Sequence, residues 1–400
     1  MDDVKINQSK FHYGVNIAID IRSLLEPKRT GVGEYTFELL DALFKIDKQN
    51  QYFLFLNSSR KGTGILPDWK QDNVTMLKFN FPNRLFNLFL WLFGRPKLDK
   101  LILKKIKKQT GRKLKLYYWF APNLNFLALS KDVKLILTIH DLSFLYFPDC
   151  FGWKSRLWHK LINPRQVCQK AELVLAPSAN TARDIKSTYG IAMEKIKIIY
   201  PGLSSIFNLI EVDEPELRRV AAKYNLSDKI ILFLGTIEPR KNIIGVIEGF
   251  GLSNLASEGY ELIIAGGLGW RSEMIMKSAV KNDKIRYIGY VEAKDKPALY
   301  KLAKLFVYPS LYEGFGFPVL EALSVGTPIL TSGRSALPEV AGGCARLVNP
   351  NNIDNIAKEM RAILTEGREL NLTYKGMGLR QAARFSWEKS ASQLLNIINV

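Results

Sequence analysis

Short apolar runs alternate with helical stretches along almost the whole chain. Val15-Asn16-Ile17-Ala18-Ile19-Asp20-Ile21 is nearly continuous in its apolar character, as a strand covered on both faces of a parallel sheet requires. The same reasoning predicts strands over residues 52–56, 116–120, 134–139 and 173–176. A loop, Arg29-Thr30-Gly31-Val32-Gly33, precedes a helix over 34–44, where Phe37, Leu40 and Phe44 recur on one face. Ser178 is a natural N-cap for a helix over 179–189. Tyr200-Pro201-Gly202 and an acidic, turn-rich stretch at 211–216 interrupt the alternation. It restarts at 229–235, with further strands expected over 261–265, 285–288, 305–308, 328–330 and 345–347. Two successive runs of this kind predict an α/β fold of two doubly wound, Rossmann-like domains. The expected limits are 1–205 and 206–384, with 385–400 a C-terminal helix crossing back to the first domain.

Within the second run, Glu313-Gly314-Phe315-Gly316-Phe317-Pro318-Val319-Leu320-Glu321 sits between a strand closed by Pro309 and a helix that ends at Gly326. Pro318 suits the first helical turn, where a missing N–H costs nothing. Strand, glycine-rich loop and helix together aim free backbone N–H groups at one spot, a ready anion site. Glu313 falls on the loop and Glu321 inside the helix. Each carboxylate can accept hydrogen bonds from two vicinal hydroxyls, as on a ribose or a hexose. A phosphate flanked by sugars fits this arrangement. Gly235-Thr236-Ile237-Glu238-Pro239-Arg240-Lys241-Asn242 follows the first strand of the second domain, so Arg240 and Lys241 stand at a strand's carboxyl end, where open parallel sheets bind ligands. They would supply fixed positive charge to a diphosphate. His140 follows an apolar strand in the first domain and precedes Asp141, again at a carboxyl end. It is expected to be functional and not a metal ligand; His12 and His159 lack such a setting.

Composition narrows the class. The chain of 400 residues is 47% hydrophobic and 24% charged, ordinary for a globular protein. Cys150, Cys168 and Cys344 are widely spaced and odd in number, which predicts a reducing compartment and neither a disulfide framework nor a metal cluster. The acidic start, Met1-Asp2-Asp3, predicts no secretory leader, and the longest apolar run, near residues 85–93, is too short to span a membrane. The net charge of +19 is uneven: residues 1–200 hold 33 Lys and Arg against 17 Asp and Glu, residues 201–400 hold 24 against 21. Anionic partners are therefore expected at the first domain. Residues 79–119 concentrate the effect, with eleven Lys and Arg against Asp99, interleaved with Phe79, Phe81, Phe86, Phe89, Trp91 and Phe93. Leu98, Leu101, Ile102 and Ile106 alternate with lysines as in a basic amphipathic helix, which suits an anionic membrane surface. No recognition motif supports nucleic acid.

These motifs together resemble the retaining glycosyltransferases of family 4, which have the two-domain GT-B architecture. The resemblance runs from Arg29-Thr30-Gly31-Val32-Gly33 through His140-Asp141-Leu142-Ser143-Phe144, the Arg240-Lys241 loop and the nonapeptide to Thr331-Ser332, Ala336-Leu337-Pro338-Glu339-Val340-Ala341-Gly342 and Phe385-Ser386-Trp387. It implies that Glu321 holds the nucleotide's ribose, that Glu313 holds the donor sugar, and that His140 projects toward that sugar. It implies that backbone N–H groups around Phe317–Leu320, with Gly314, Phe315, Gly316, Val319 and Leu320 in the same wall, meet the diphosphate beside Arg240 and Lys241. Gly31 and Gly33 would let the first domain close over the phosphates. It further implies a nucleoside-diphosphate sugar donor, GDP-mannose first, no separate cofactor, and retention at the anomeric carbon by front-face attack. No Asp-x-Asp occurs anywhere in the chain, which argues against a divalent-metal site. The acceptor is expected to be a saccharide, lipid-linked, at the cytoplasmic face of a membrane. The alternatives are a GT-B epimerase or phosphorylase, or a basic binding protein that kept the fold and lost catalysis.

Overall fold

The computed structural model describes residues 14–26, 30–58, 66–209, 212–279, 282–365 and 368–399; His12, Arg29 and Glu211 lie outside them. The first domain is a seven-stranded parallel sheet of β1 (Asn16–Asp20), β2 (Gln51–Asn57), β3 (Val74–Phe79), β4 (Tyr118–Ala121), β5 (Lys134–Thr138), β6 (Leu173–Ala176) and β7 (Ile196–Ile198). Its order is β3-β2-β1-β4-β5-β6-β7. The second is a six-stranded parallel sheet of β8 (Ile230–Leu234), β9 (Glu261–Ala265), β10 (Ile285–Gly289), β11 (Leu305–Tyr308), β12 (Ile329–Ser332) and β13 (Arg346–Val348), ordered β10-β9-β8-β11-β12-β13. Central strands are covered on both faces, which is why β2 and β8 carry unbroken apolar runs.

The apolar pattern does not announce β3 and β7. Both are edge strands, β7 only three residues long and β3 alternating half-buried with buried positions before the exposed Lys78, so neither needs a continuous apolar run. β12 runs past Leu330 because Thr331 and Ser332 are fully buried; the Thr331 hydroxyl donates to the Tyr308 carbonyl at 2.8 Å. The helix expected from Glu34 starts earlier, at Gly31, and spans Gly31–Ile46, with Glu34 N–H donating to Thr30 C=O. Gly31 and Gly33 are thus a first helical turn and not a loop, where the low helix propensity of glycine weighs less than in an interior.

Ser178 caps the helix Ala179–Tyr189, accepting from Thr181 N–H at 3.0 Å. The last helix, Trp387–Ile398, lies on the first domain: Trp387, Ala391, Leu394 and Ile398 share an apolar core with Tyr35, Leu39 and Leu43 of the helix Gly31–Ile46.

The basic aromatic segment forms two helices, Asn83–Phe93 and Leu98–Thr110. In the second, Leu98, Ile102 and Ile106 are buried in the first domain's core. That helix therefore offers its apolar side to the protein, which corrects the expectation that it dips into a lipid surface. Among the described residues no helix is long and apolar enough to cross a membrane.

Candidate functional site

In the second sheet the chain leaves β8 toward one side and β11 toward the other, which opens a crevice at the carboxyl ends of these two neighbouring strands. Two loops fill its rim. The loop after β8 winds into a short 3-10 turn, Pro239–Lys241. The loop after β11 is bound to it: Leu311 N–H donates to the Arg240 carbonyl at 2.9 Å, and the Ser310 hydroxyl donates to the same oxygen at 3.1 Å. Topology thus unites segments some seventy residues apart.

Glu313 is 7% exposed at the centre of this junction. Its Oε1 accepts from Lys241 Nζ at 2.5 Å, from Ser310 Oγ at 2.7 Å and from Tyr308 OH at 2.9 Å. Among the described residues its Oε2 accepts only from Arg240, at 3.1 Å. Arg240 also reaches Glu238 at 2.8 Å and donates to the Tyr312 carbonyl. Three donors saturate Oε1, so the lone pair left for a ligand hydroxyl is on Oε2. Burial alone would raise the Glu313 pKa, but Lys241 and Arg240 outweigh it and hold the group down at about 2. Burial and the neighbouring Arg240 push Lys241 below its ordinary value.

A carboxyl group whose pKa drops on folding binds fewer protons in the native state. Its stabilisation is complete above the unfolded value of 4.5 and is lost as pH falls through about 2. Urea unfolding across that window is expected to show stability falling with acid, and the Glu313→Gln variant is expected to lack this part of the slope. An equal slope in both proteins would contradict the assignment.

The helix Phe317–Val325 begins at Gly316, whose φ of 112° excludes most side chains. Val319 and Leu320 N–H both donate to the Gly316 carbonyl, at 3.0 and 3.3 Å. These two amides, expected to face a diphosphate, are therefore occupied. The amides of Gly316 and Phe317 donate to no described group, so the open donors lie one turn earlier. Glu321, also 7% exposed, accepts from Lys296 Nζ at 3.0 Å through Oε1 and from Tyr300 OH at 2.7 Å through Oε2. Each of its oxygens keeps a lone pair, which leaves a bidentate acceptor for two vicinal hydroxyls. Although burial works against it, Glu321 holds Lys296 above its ordinary pKa, and Glu34 of the first domain adds to the pull. A Cβ at Gly31 would meet no atom within 4 Å.

The first domain closes against this wall at Gly314. A Cβ there would lie 1.9 Å from the His140 carbonyl oxygen and 2.8 Å from Asp141 Cβ. Thr181 Oγ1 donates to the Gly314 carbonyl at 3.1 Å, and Tyr312 OH donates to Asp184 at 2.7 Å. Glu339 accepts from Ala179 and Asn180 N–H, at 2.8 and 3.3 Å, and from Tyr200 OH. A second-domain carboxylate thereby caps a first-domain helix. The His140 ring meets the edge of Tyr35, with centroids 4.7 Å apart, and its Nε2 lies 2.8 Å from the Pro122 carbonyl. A carbonyl only accepts, so Nε2 carries the proton; burial lowers the pKa and keeps the ring neutral. The lone pair is then on Nδ1, able to accept from a hydroxyl. Phe317 and Trp387 stack at 6.4 Å between the domains, while Phe315 turns inward and packs edge-on against Phe385 at 5.5 Å.

Glu313, Arg240 and Lys241 thus form one cluster, and His140 adjoins it through Gly314. Glu321 stands apart with Lys296 and Tyr300. These two partners were not evident in the sequence, although their i, i+4 spacing on one helix was a usable signal. Nor were Tyr308 and Ser310; a tyrosine hydroxyl at the end of a wholly buried strand was the clue.

Residues 30–205 match the family model described as Glycosyltransferase Family 4, and residues 214–376 match Glycosyl transferases group 1. The chain is 30% identical over 376 residues to O-antigen chain mannosyltransferase B of Escherichia coli, across 92% of this chain and 95% of that protein. Its fold superposes on a crystal structure of a glycosyltransferase from Rickettsia africae with a TM-score of 0.71, at 17% identity over 97% of this chain and 98% of the other. The Anabaena HepE structure, solved with UDP and glucose, gives a TM-score of 0.67 at 17% identity, over 96% and 99% of the two chains. At such identities the structural likeness is one of fold.

Proposed function

The chain belongs to glycosyltransferase family 4, and from that premise we propose that it moves mannose from GDP-mannose to a saccharide, with retention at the anomeric carbon. The observation that carries this reading is the buried cluster at the switch point, where Arg240, Lys241 and the one open oxygen of Glu313 converge. The sugar rests on the likeness to O-antigen chain mannosyltransferase B of Escherichia coli. A nucleotide sugar in this fold has a precedent in HepE, which was also crystallised with UDP-glucose.

In the proposed reaction the acceptor hydroxyl oxygen forms the new bond to the anomeric carbon. The bond from that carbon to the diphosphate oxygen breaks on the same face, and the departing diphosphate takes the acceptor's proton. Arg240, Lys241 and the amides of Gly316 and Phe317 stabilise the charge developing on the leaving group, the role a bound cation would otherwise fill. Glu313 Oε2 and His140 Nδ1 accept hydroxyls of the sugar. Glu321 accepts the two ribose hydroxyls, held in place by Lys296 and Tyr300. Gly31 and Gly33 present the first turn of their helix to the phosphates. The acceptor we propose is a lipid-linked saccharide of a surface polysaccharide, met at the cytoplasmic face of a membrane.

Purified protein incubated with a panel of nucleotide sugars is expected to consume GDP-mannose and to be stabilised by it against heat. Consumption of another nucleotide sugar alone would overturn the donor. No consumption and no stabilisation by any of them, with membrane extract present, would overturn the reaction class. A Lys296→Ala variant is expected to raise KM for the donor about tenfold with little change in kcat, because Lys296 orients the ribose acceptor and touches no reacting atom. A fall in kcat at unchanged KM would contradict that role.

A further inference from the structure

The helix Asn83–Phe93 lies outside the donor site and buries only Phe86 and Leu90, a single i, i+4 seam. Leu85, Leu88, Phe89, Trp91, Leu92 and Phe93 are 44–63% exposed. From Leu85 to Phe93 the chain has no charged residue, so this is not the polar outer face of an ordinary surface helix. Six large apolar side chains on one short helix call for an apolar partner.

Lys97 follows Phe93 by four residues, at most about 15 Å along the chain. It opens a basic cavity of 530 Å³, lined also by Lys100, Lys115 and Lys131. Two acids share the lining. Asp99 is 2% exposed and accepts from Ser130 N–H at 2.9 Å, while Asp132 is exposed at the rim. Among the described residues, no carboxylate pairs with any of the four lysines. The Lys115 ammonium lies 5.0 Å over the Tyr117 ring. Among the described residues, the buried Ser130 hydroxyl in the same lining has no hydrogen-bond partner.

We propose that this face docks on a bilayer of anionic phospholipid. The helix Asn83–Phe93 enters the boundary between headgroups and acyl chains, and the lysine cavity takes a lipid phosphate. Charge decides the occupant. A symmetric contact with a second copy would set Arg84, Arg95 and Lys97 against their own images, whereas an anionic surface complements them. The proposal rests on the reading that the acceptor is membrane-borne, and it makes the first domain the part that meets it.

The test is sedimentation of the full chain with vesicles of phosphatidylcholine alone and of equimolar phosphatidylcholine and phosphatidylglycerol, with donor consumption measured in parallel without vesicles. The wild type is expected to bind the anionic vesicles only. Leu88→Ser with Phe89→Ser and Leu92→Ser is expected to abolish binding. Lys100→Glu with Lys131→Glu is expected to weaken it about tenfold and to flatten its salt dependence. Both variants are expected to consume donor as the wild type does, so a failed dock and a failed enzyme reading give different results. Absence of wild-type binding, binding that survives the triple change, or a wild-type dimer that the triple change dissociates without any vesicle binding would each overturn the proposal.

Discussion

Replacing Glu313 with glutamine is expected to lower kcat by about 100-fold or more while leaving binding of the nucleoside diphosphate intact or tighter. The argument is electrostatic. Glu313 is the shared counter-ion of Lys241 and Arg240, at 2.5 and 3.1 Å, and all three side chains are shielded from water. An amide removes the negative charge, turns a donor toward one cation, and frees both cations to attract a diphosphate more strongly. The sugar loses its carboxylate partner in the same step. Ground-state affinity and transfer rate then move in opposite directions, which a purely structural role would not produce. Stability should also fall, because breaking a buried ion pair by removing one partner costs about 3–5 kcal/mol. Glu238 remains on Arg240 at 2.8 Å and offsets part of this. Steady-state kinetics, GDP titration and thermal unfolding on one preparation separate the three effects. Wild-type turnover in the glutamine variant would remove Glu313 from the site.

Gly314→Ala is expected to reduce kcat/KM by about 100-fold, the scale on which a displacement of roughly an ångström acts. The added methyl carbon would lie 1.9 Å from a backbone oxygen of the other domain, a distance that no rotamer change relieves. The domains must part, and the Thr181–Gly314 and Tyr312–Asp184 hydrogen bonds lengthen with them. Each domain keeps its own core, so circular dichroism is expected to be unchanged. Gly251→Ala is the matched control, since a Cβ there meets nothing within 4 Å. Full activity in the Gly314 variant would show that the observed approach of the two domains is not the reactive one.

Much of this molecule was legible from local pattern. Strands such as β8, covered on both faces, must be apolar throughout, and the nonapeptide's glycines and proline betray a turn into a helix. What local pattern omits is pairing at a distance. Lys241 and Glu313 each read as a ligand contact on its own loop, and their ion pair emerges only when the sheet order brings β8 and β11 side by side. The helix Leu98–Thr110 shows the opposite failure. Its periodicity is that of a helix, but periodicity does not say whether an apolar stripe faces lipid or the protein's own core. The exposed stripe is on the preceding helix, where continuous apolarity hides any period. Gly31 and Gly33 resemble a loop because glycine is a poor helix former, and the first turn of the helix Gly31–Ile46 is where that cost weighs least.

The central claim is that the cluster of Arg240, Lys241 and Glu313 transfers a sugar from its nucleotide. The most direct measurement follows radiolabelled mannose from GDP-mannose into saccharide, using membrane extract as the source of acceptor, with wild type and Glu313→Gln side by side. Label is expected in the saccharide with the wild type and at no more than about a hundredth of that rate with the variant. Equal incorporation by both proteins, or none by the wild type, would contradict the account.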